Sequence, residues 1–116
     1  MSRLDKVDAA WLAGLLDGEG CFDLPRGNPR VRVKMSDLDV ILRAADLMGA
    51  KTYPEVVPGR KPLLVAQITG DAAVEVLRAV LPFLGSRRSA RATEIILAHE
   101  AKGRPALRLI TSQQAA

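Results

Sequence analysis

Residues 12–20 read Leu-Ala-Gly-Leu-Leu-Asp-Gly-Glu-Gly, and this stretch decides how the rest of the chain is interpreted. Together with Ala10 before it, the stretch places small residues at four-residue intervals on a predicted helix, at Ala10, Gly14 and Gly18, with Ala13 beside them. Small residues at this spacing allow a second helix to approach closely. The spacing leaves open whether that second helix belongs to the same chain or to another copy.

The end of this predicted helix is acidic and bracketed by glycine. Asp17 and Glu19 alternate with Gly18 and Gly20, and glycine permits a close backbone approach and unusual dihedral angles. The Glu19 carboxylate and the Gly18 carbonyl are hard oxygen ligands of the type that Mg²⁺ prefers, with water and phosphate completing its shell. An acidic, glycine-rich turn without a metal is the alternative interpretation.

Composition and charge narrow the class of protein. The chain has 116 residues, 48% hydrophobic and 26% charged, with a formal net charge of +4 and a pI near 9.7. These values predict one globular domain and favour a nucleic-acid partner. One Trp, one Tyr and two Phe are too few for a platform on which single-stranded bases stack. The single cysteine cannot form an internal disulfide, and no apolar run is long enough for a signal or a membrane span, so we expect an intracellular, cytoplasmic protein.

The predicted elements follow the order helix, strand, strand, helix, strand, strand, helix, helix. The first helix is capped by Asp8 and ends near residue 17, and strands follow at 21–24 and 30–35. The second helix begins at a Ser36–Asp39 capping box and ends at Gly49, and strands follow at 51–57 and 61–69. The third helix runs from Asp71 to about Pro82, and the fourth runs from Ser86 or Ser89 to Lys102, before Gly103 and Pro105. This order predicts an α+β domain over 1–105, with four antiparallel strands, helices on one face and a loose tail at 106–116.

The strand at 30–35 supplies the clearest binding surface. Arg30, Arg32 and Lys34 alternate with apolar residues, so the three basic side chains share one face of the sheet. Arginine pairs with guanine edges and phosphates through its planar fork. The further candidates for contact with double-stranded DNA are Arg26, Asn28, Arg60, Lys61, Gln67, Thr69 and Arg88.

All nine positions of the 12–20 stretch are compatible with the motif of the LAGLIDADG homing endonucleases, and the chain resembles that family. Leu16, Gly18 and Glu19 stand where the motif has isoleucine, alanine and its second aspartate, which are exchanges that the family uses. The resemblance extends to the element order, because the family core is αββαββα over roughly residues 8–100, with a saddle-shaped four-stranded antiparallel sheet.

The resemblance implies a site-specific, intron-associated DNA endonuclease that makes double-strand breaks. Glu19 matches the catalytic metal ligand, Gly18 the carbonyl that assists it, and Asp17 an aspartate that fixes the helix end. Chains with one motif act as homodimers on nearly palindromic DNA, so Ala10, Ala13, Gly14 and Asp17 are expected at a dimer interface. The implied cofactor is Mg²⁺ or Mn²⁺, with Ca²⁺ as a non-productive substitute, and neither a membrane nor a small-molecule substrate is implied.

Two further positions carry over from the resemblance. The family often places a basic residue just before the last core helix near the scissile phosphate, and Arg87 is the candidate for that catalytic role. It also often has a polar residue at the end of the second strand, where this chain has Met35 followed by Ser36 and Asp37. This departure keeps open a second interpretation, a weak or inactive DNA- or RNA-binding relative such as a maturase or regulator. A third is a basic α+β protein whose motif-like helix only mediates contact between copies.

Overall fold

The computed structural model describes the backbone of residues 4–115 and the side chains of residues 4–103. Its helices and strands are α1 (Lys6–Glu19), β1 (Gly20–Asp23), β2 (Arg30–Met35), α2 (Leu38–Met48), β3 (Lys51–Glu55), β4 (Leu63–Thr69), α3 (Gly70–Val80) and α4 (Ser86–Ala115). The predicted element order and α+β class are confirmed. Across the described residues, no helix is both long and apolar enough to cross a membrane.

The four strands form one antiparallel sheet in the order β1-β2-β4-β3. Two hairpins therefore meet through β2 and β4, the strands in the middle of the sheet. A 3-10 turn at Pro25–Gly27 joins β1 to β2, and it contains two successive residues with positive φ, Arg26 at 54° and Gly27 at 78°. A non-glycine residue with positive φ is uncommon, so this turn holds Arg26 in a costly conformation at its exposed tip.

Helices cover one face of the sheet. Val31 and Val33 of β2 lie on this covered face with Ala66 of β4, and all three are almost completely buried in the main apolar cluster. From the helices, the cluster takes large side chains at helical spacing, among them Leu12, Leu16, Ile41, Leu77 and Ile95. The opposite face carries no helix, and we call it the open face. Its members are Cys21, Asp23, Arg30, Arg32, Lys34, Lys51, Tyr53, Glu55, Leu63, Val65, Gln67 and Thr69.

Helix starts differ from the sequence prediction at three places. The cap of α1 is Asp5, whose side chain accepts a hydrogen bond from the Asp8 N–H at 2.8 Å, so Asp8 lies inside the first turn. Helix α2 starts after Asp37 without a side-chain cap, so the predicted Ser36–Asp39 capping box is wrong. Helix α3 starts after Thr69. Polar residues occur at several positions near each of these helix starts, so the sequence alone does not decide which of them becomes the cap.

Helix α4 is longer than predicted. It runs Ser86–Ala115 through Gly103 and Pro105, where the sequence predicted its end. The described side chains of this helix stop at residue 103, and the expected tail at 106–116 has no described side chains. The division into a domain and a tail stays a prediction.

Candidate active site and nucleic-acid interface

The acidic end of α1 passes into β1 without a loop. Glu19 is the last residue of α1, and Gly20 is both its C-cap and the first residue of β1. The Gly20 N–H donates to the Leu16 carbonyl, and a Cβ on Gly20 would lie 2.8 Å from that same oxygen. Glycine is therefore required at position 20 by close packing, although its φ of −79° is ordinary. The junction leaves Gly18 and Glu19 exposed at the surface.

Asp17 points back into its own chain. Both of its carboxylate oxygens accept from the Gly85 N–H at 3.0 Å. The Asp17 carbonyl accepts from Arg88 Nε at 3.3 Å, and the Arg88 guanidinium lies 5.6 Å from the centre of the Phe22 ring. Asp17 thus joins the end of α1 to the start of α4, which fits the fixing role that the resemblance implied. Arg88, expected at the DNA, has one donor committed to holding this junction.

This junction brings the two predicted catalytic segments together. Glu19 follows Asp17 by two residues, and Arg87 follows Gly85 by two, so the Asp17–Gly85 contact makes their chain segments neighbours. Arg87 is exposed and has no polar partner among the described residues, which leaves its guanidinium available to a phosphate.

One face of α1 is exposed and, after Val7 in its first turn, carries only small residues. Val7, Ala10, Gly14 and Gly18 lie on it, and a Cβ added to Gly14 or Gly18 would meet no atom within 4 Å. Ala13 lies next to this face but turned towards the core, and it is 0% exposed, so the predicted dimer contact at Ala13 does not fit the structure. The difference arises because residues 10 and 13 are about 60° apart around a helix, enough to separate surface from core.

Trp11 lies at the edge of this exposed face and is half-buried. The Arg43 guanidinium of α2 lies 4.0 Å from the centre of its ring, a cation–π distance. Arg43 also approaches Asp8 at 3.7 Å. These contacts join α1 to α2 and fix the position of the only tryptophan in the chain.

The three basic residues of β2 lie on the open face as predicted, but two of them are paired with acids. Arg30 donates to Asp23 through Nε at 2.8 Å and Nη2 at 2.5 Å. Lys34 Nζ lies 3.1 Å from the Glu55 carboxylate. The hydrogen bond from Arg30 lowers the pKa of Asp23, and the positive charges of Arg30, Arg32 and Arg91 lower it further. Asp23 is therefore ionised at neutral pH, and the open face is less positive than the sequence suggested.

The remaining predicted DNA contacts lie at the two ends of the open face and, for Gln67, at its centre. Arg26 and Asn28 are exposed in the β1–β2 turn, and Thr69 is exposed beside them, opposite Arg30 in the sheet. Gln67 lies at the centre of the face and accepts a hydrogen bond from Tyr53 at 3.1 Å. At the far end, the exposed residues of the β3–β4 connection include Arg60 and Lys61.

Sequence reasoning missed two basic residues of α4 that hold the site's backbone. Arg91 Nε donates to the Phe22 carbonyl at 3.1 Å, on the edge strand β1. Lys102 Nζ donates to the Gly27 carbonyl at 3.0 Å, in the β1–β2 turn. The spacing of positions 88, 91 and 102 places them on one face of a helix, and this pattern could have indicated a row that faces the β1 region.

Metal binding by one chain would use few protein ligands. Over the described residues, no three His, Cys, Asp or Glu side chains cluster in a way that could hold a metal ion. The Asp17 carboxylate is bonded to Gly85, whereas no side chain in the described part donates to the Gly18 carbonyl. The oxygen ligands available to a metal ion are thus the Glu19 carboxylate and the Gly18 carbonyl. A hard divalent cation that keeps several waters and takes phosphate oxygens fits such a set.

Comparison with known proteins gives structural relatives only. No protein-family profile matches the chain, and no curated protein matches it in sequence. Among solved structures it is similar to the homing endonuclease I-CvuI in complex with the I-CreI target, in the presence of Mg and with the DNA not cleaved. The TM-score is 0.60, the identity is 17% and 79% of this chain is covered. It is also similar to the group I intron-encoded homing endonuclease I-CeuI bound to DNA, with a TM-score of 0.63, 16% identity and 93% covered.

A third relative is the homing endonuclease I-TnaI, with a TM-score of 0.52, 19% identity and 82% of this chain covered. The chain spans 65% of the length of the I-CvuI chain and 61% of that of I-CeuI. At identities this low, the structural similarity establishes the shared architecture alone. That architecture includes the element order and the four-stranded antiparallel sheet. The chain has the fold of the LAGLIDADG homing endonucleases.

Proposed function

We propose that this chain is one subunit of a homodimeric, divalent-metal-dependent endonuclease that cuts double-stranded DNA at a nearly palindromic site. The observation that carries the proposal is the form of α1. It presents an exposed face of small residues that ends at an exposed Glu19 and an exposed Gly18. Two copies that pack through this face would bring two such ends together at one axis.

Each subunit would supply one cation site from the Glu19 carboxylate and the Gly18 carbonyl. Mg²⁺ or Mn²⁺ is the expected productive ion, and the I-CvuI complexes were obtained with Mg and with Ca. When bound, such an ion supplies Lewis-acid stabilisation of a phosphodiester under attack. The chain's own contributions are the charge of Glu19, the position that Asp17 and Arg88 give to the turn, and the exposed guanidinium of Arg87, which follows Gly85 by two residues.

The open face would contact the DNA. Its strands offer alternating polar side chains at a spacing of two residues, and the exposed turns at both ends add further donors. Arginine on such a face can read guanine in the major groove, and basic residues in the turns can contact phosphate.

The test is cleavage by wild type and two glutamate variants. A target is first selected from a library of near-palindromic duplexes incubated with Mg²⁺. Wild type should linearise a plasmid that carries this target. Glu19→Gln should abolish cutting and retain binding, whereas Glu75→Gln, at an exposed glutamate of α3, should cut normally. Equal cutting by the Glu19→Gln and wild-type proteins would refute the assignment of catalysis.

A second candidate is a DNA- or RNA-binding protein of the same fold that does not cut. The observation that favours it is the end of β2. Met35 is half-buried on the covered face opposite Leu64, so a polar side chain that could orient water must come from the exposed Ser36 or Asp37. Salt-sensitive binding to duplex, with no cleavage of the library in Mg²⁺ or Mn²⁺, would favour this candidate. Tighter binding to structured RNA than to duplex would indicate a maturase.

A further inference from the structure

Two acidic side chains of the open face each pair with a particular basic side chain. Asp23 of β1 and Arg30 of β2 are directly opposite in the antiparallel register. Their contact is bidentate, with both carboxylate oxygens used, and the two side chains are only 29% and 23% exposed. A bidentate, partly buried pair fixes the plane of the guanidinium, because both groups are planar. Arg30 is therefore held in one orientation before any ligand arrives.

The second pair crosses the sheet. Lys34 lies on β2 and Glu55 on β3, with β4 between them, so the contact passes over a residue of β4. Val65 is the register partner of Lys34 on that strand, and it is 1% exposed although no helix covers this face. The Lys34–Glu55 pair and Tyr53, which pairs with Val65 in the sheet, lie around this buried valine. Lys34 is thus also partnered in the free protein.

Arg32 differs from both of its neighbours. It lies between Arg30 and Lys34 on the same face of the same strand, but its side chain makes no hydrogen bond or ion pair with any described residue. A guanidinium without a partner attracts any nearby phosphate. A guanidinium with a bound carboxylate attracts phosphate less strongly, because the carboxylate repels it.

From this arrangement we propose that Asp23 and Glu55 are specificity-determining residues of the open face. They suppress the sequence-independent attraction of Arg30 and Lys34 to the phosphates of the DNA backbone. Arg30 then favours a duplex that presents a hydrogen-bond acceptor on a base edge opposite its fixed guanidinium. Arg32 supplies the general attraction. This inference rests on the proposed function, because it requires that the open face bind duplex DNA.

The test compares affinities for a pool of random-sequence duplexes as KCl is varied, with EDTA present to prevent cleavage. Asp23→Asn should make the slope of log affinity against log salt steeper by about 0.9 per subunit, the value for one added phosphate contact. That slope corresponds to an increase of roughly eightfold in affinity per subunit at 0.1 M salt. Affinity for a duplex selected from the pool should rise less, so the specificity ratio should fall.

Asp46→Asn is the matched control, because it removes the same charge from an exposed residue of α2 that has no ion pair with any described residue. In an Arg30→Gln background, Asp23→Asn should raise pool affinity much less than it does in the wild-type background, because only the weaker influence of Asp23 on Arg32 and Arg91 remains. Arg32→Gln should reduce pool affinity more than Arg30→Gln does. Glu55→Gln repeats the test at the second pair, with Lys34→Gln as its background, and circular dichroism verifies the folding of each variant.

Three results would overturn the inference. An effect of Asp23→Asn no larger than that of Asp46→Asn would show a general charge effect. An unchanged effect in the Arg30→Gln background would show that Asp23 does not act through Arg30. If the wild-type protein does not bind duplex, or binds it with an affinity that does not depend on salt, the proposed DNA interface is refuted and the inference with it. The first two results would leave that interface unaffected.

Discussion

Replacement of Gly14 by leucine should strengthen the fold of one chain and weaken its pairing with a second. Gly14 lies in the interior of α1 on the exposed face, and an added Cβ would meet no atom within 4 Å. Gly103 of α4 offers the matched control, since it is also helical, exposed and free of any atom within 4 Å of an added Cβ. The two variants share the same change of residue and differ in the face that carries it.

The expected magnitudes follow from the two environments. Glycine inside a helix costs about 0.5–1 kcal/mol relative to alanine, and leucine is nearly as good a helix former. Both variants should therefore raise the free energy of unfolding of the single chain by up to about 1 kcal/mol. At a two-fold axis, by contrast, each Gly14→Leu side chain meets the close-packed surface of the other copy. Overpacking costs about 1–3 kcal/mol per site, so two sites weaken the dimer by about thirtyfold or more.

Sedimentation velocity over a range of concentrations, with and without a bound duplex, measures the pairing. Emission of Trp11 reports the same event, because this residue precedes Gly14 by one helical turn and lies half-buried at the edge of the face. We expect a dimer for wild type and for Gly103→Leu, and a monomer for Gly14→Leu. Equal dimerisation of the two variants would refute the placement of the interface. A wild type that stays monomeric even on DNA would refute the pairing.

Three further outcomes are expected. Arg88→Met should reduce the single-turnover cleavage rate by about fivefold with unchanged DNA binding, since it removes the donor to the Asp17 carbonyl. Arg88→Lys should recover part of the rate. A normal rate for Arg88→Met would contradict this role. Asp17→Ala should lower the free energy of unfolding in urea by about 1 kcal/mol, because the Gly85 N–H loses its acceptor. Since Arg30 lowers the folded pKa of Asp23, its ion pair stabilises the fold fully above the unfolded pKa, and this contribution is lost as pH falls through the folded pKa. Urea titrations should therefore show Asp23→Asn less stable than wild type by about 0.5–1 kcal/mol above about pH 5, with the difference shrinking below about pH 4; a difference that does not depend on pH would contradict this account.

Much of the fold could be predicted from local patterns. The alternation from Arg30 to Met35 predicted β2 with the bounds that the structure has. Gly49 closes α2 with a φ of 68°, as its position after the apolar set predicted. Both features depend on residues close together in sequence, where periodicity and backbone preference carry the information.

The parts of the site that could not be predicted depend on distant residues. The contact of Asp17 with Gly85 joins positions 68 apart in the chain, and the pair of Lys34 with Glu55 requires that β4 lie between β2 and β3. The pairing of Asp23 with Arg30 was within reach, because the β1–β2 hairpin sets them opposite each other once the register is known. Sequence reasoning counted the basic residues of the open face but not their partners, and for that reason it overstated the charge available to DNA.

The central claim is that each subunit supplies one Glu19 and cuts one strand. Its most direct test is the product formed when wild type is mixed with excess Glu19→Gln protein, after subunits have exchanged, on a supercoiled plasmid that carries the selected target. The mixed dimer contains one intact site, so the account predicts nicked open circles as the main product. Linear plasmid without accumulation of nicked circles, once the mixed dimer predominates, would contradict it.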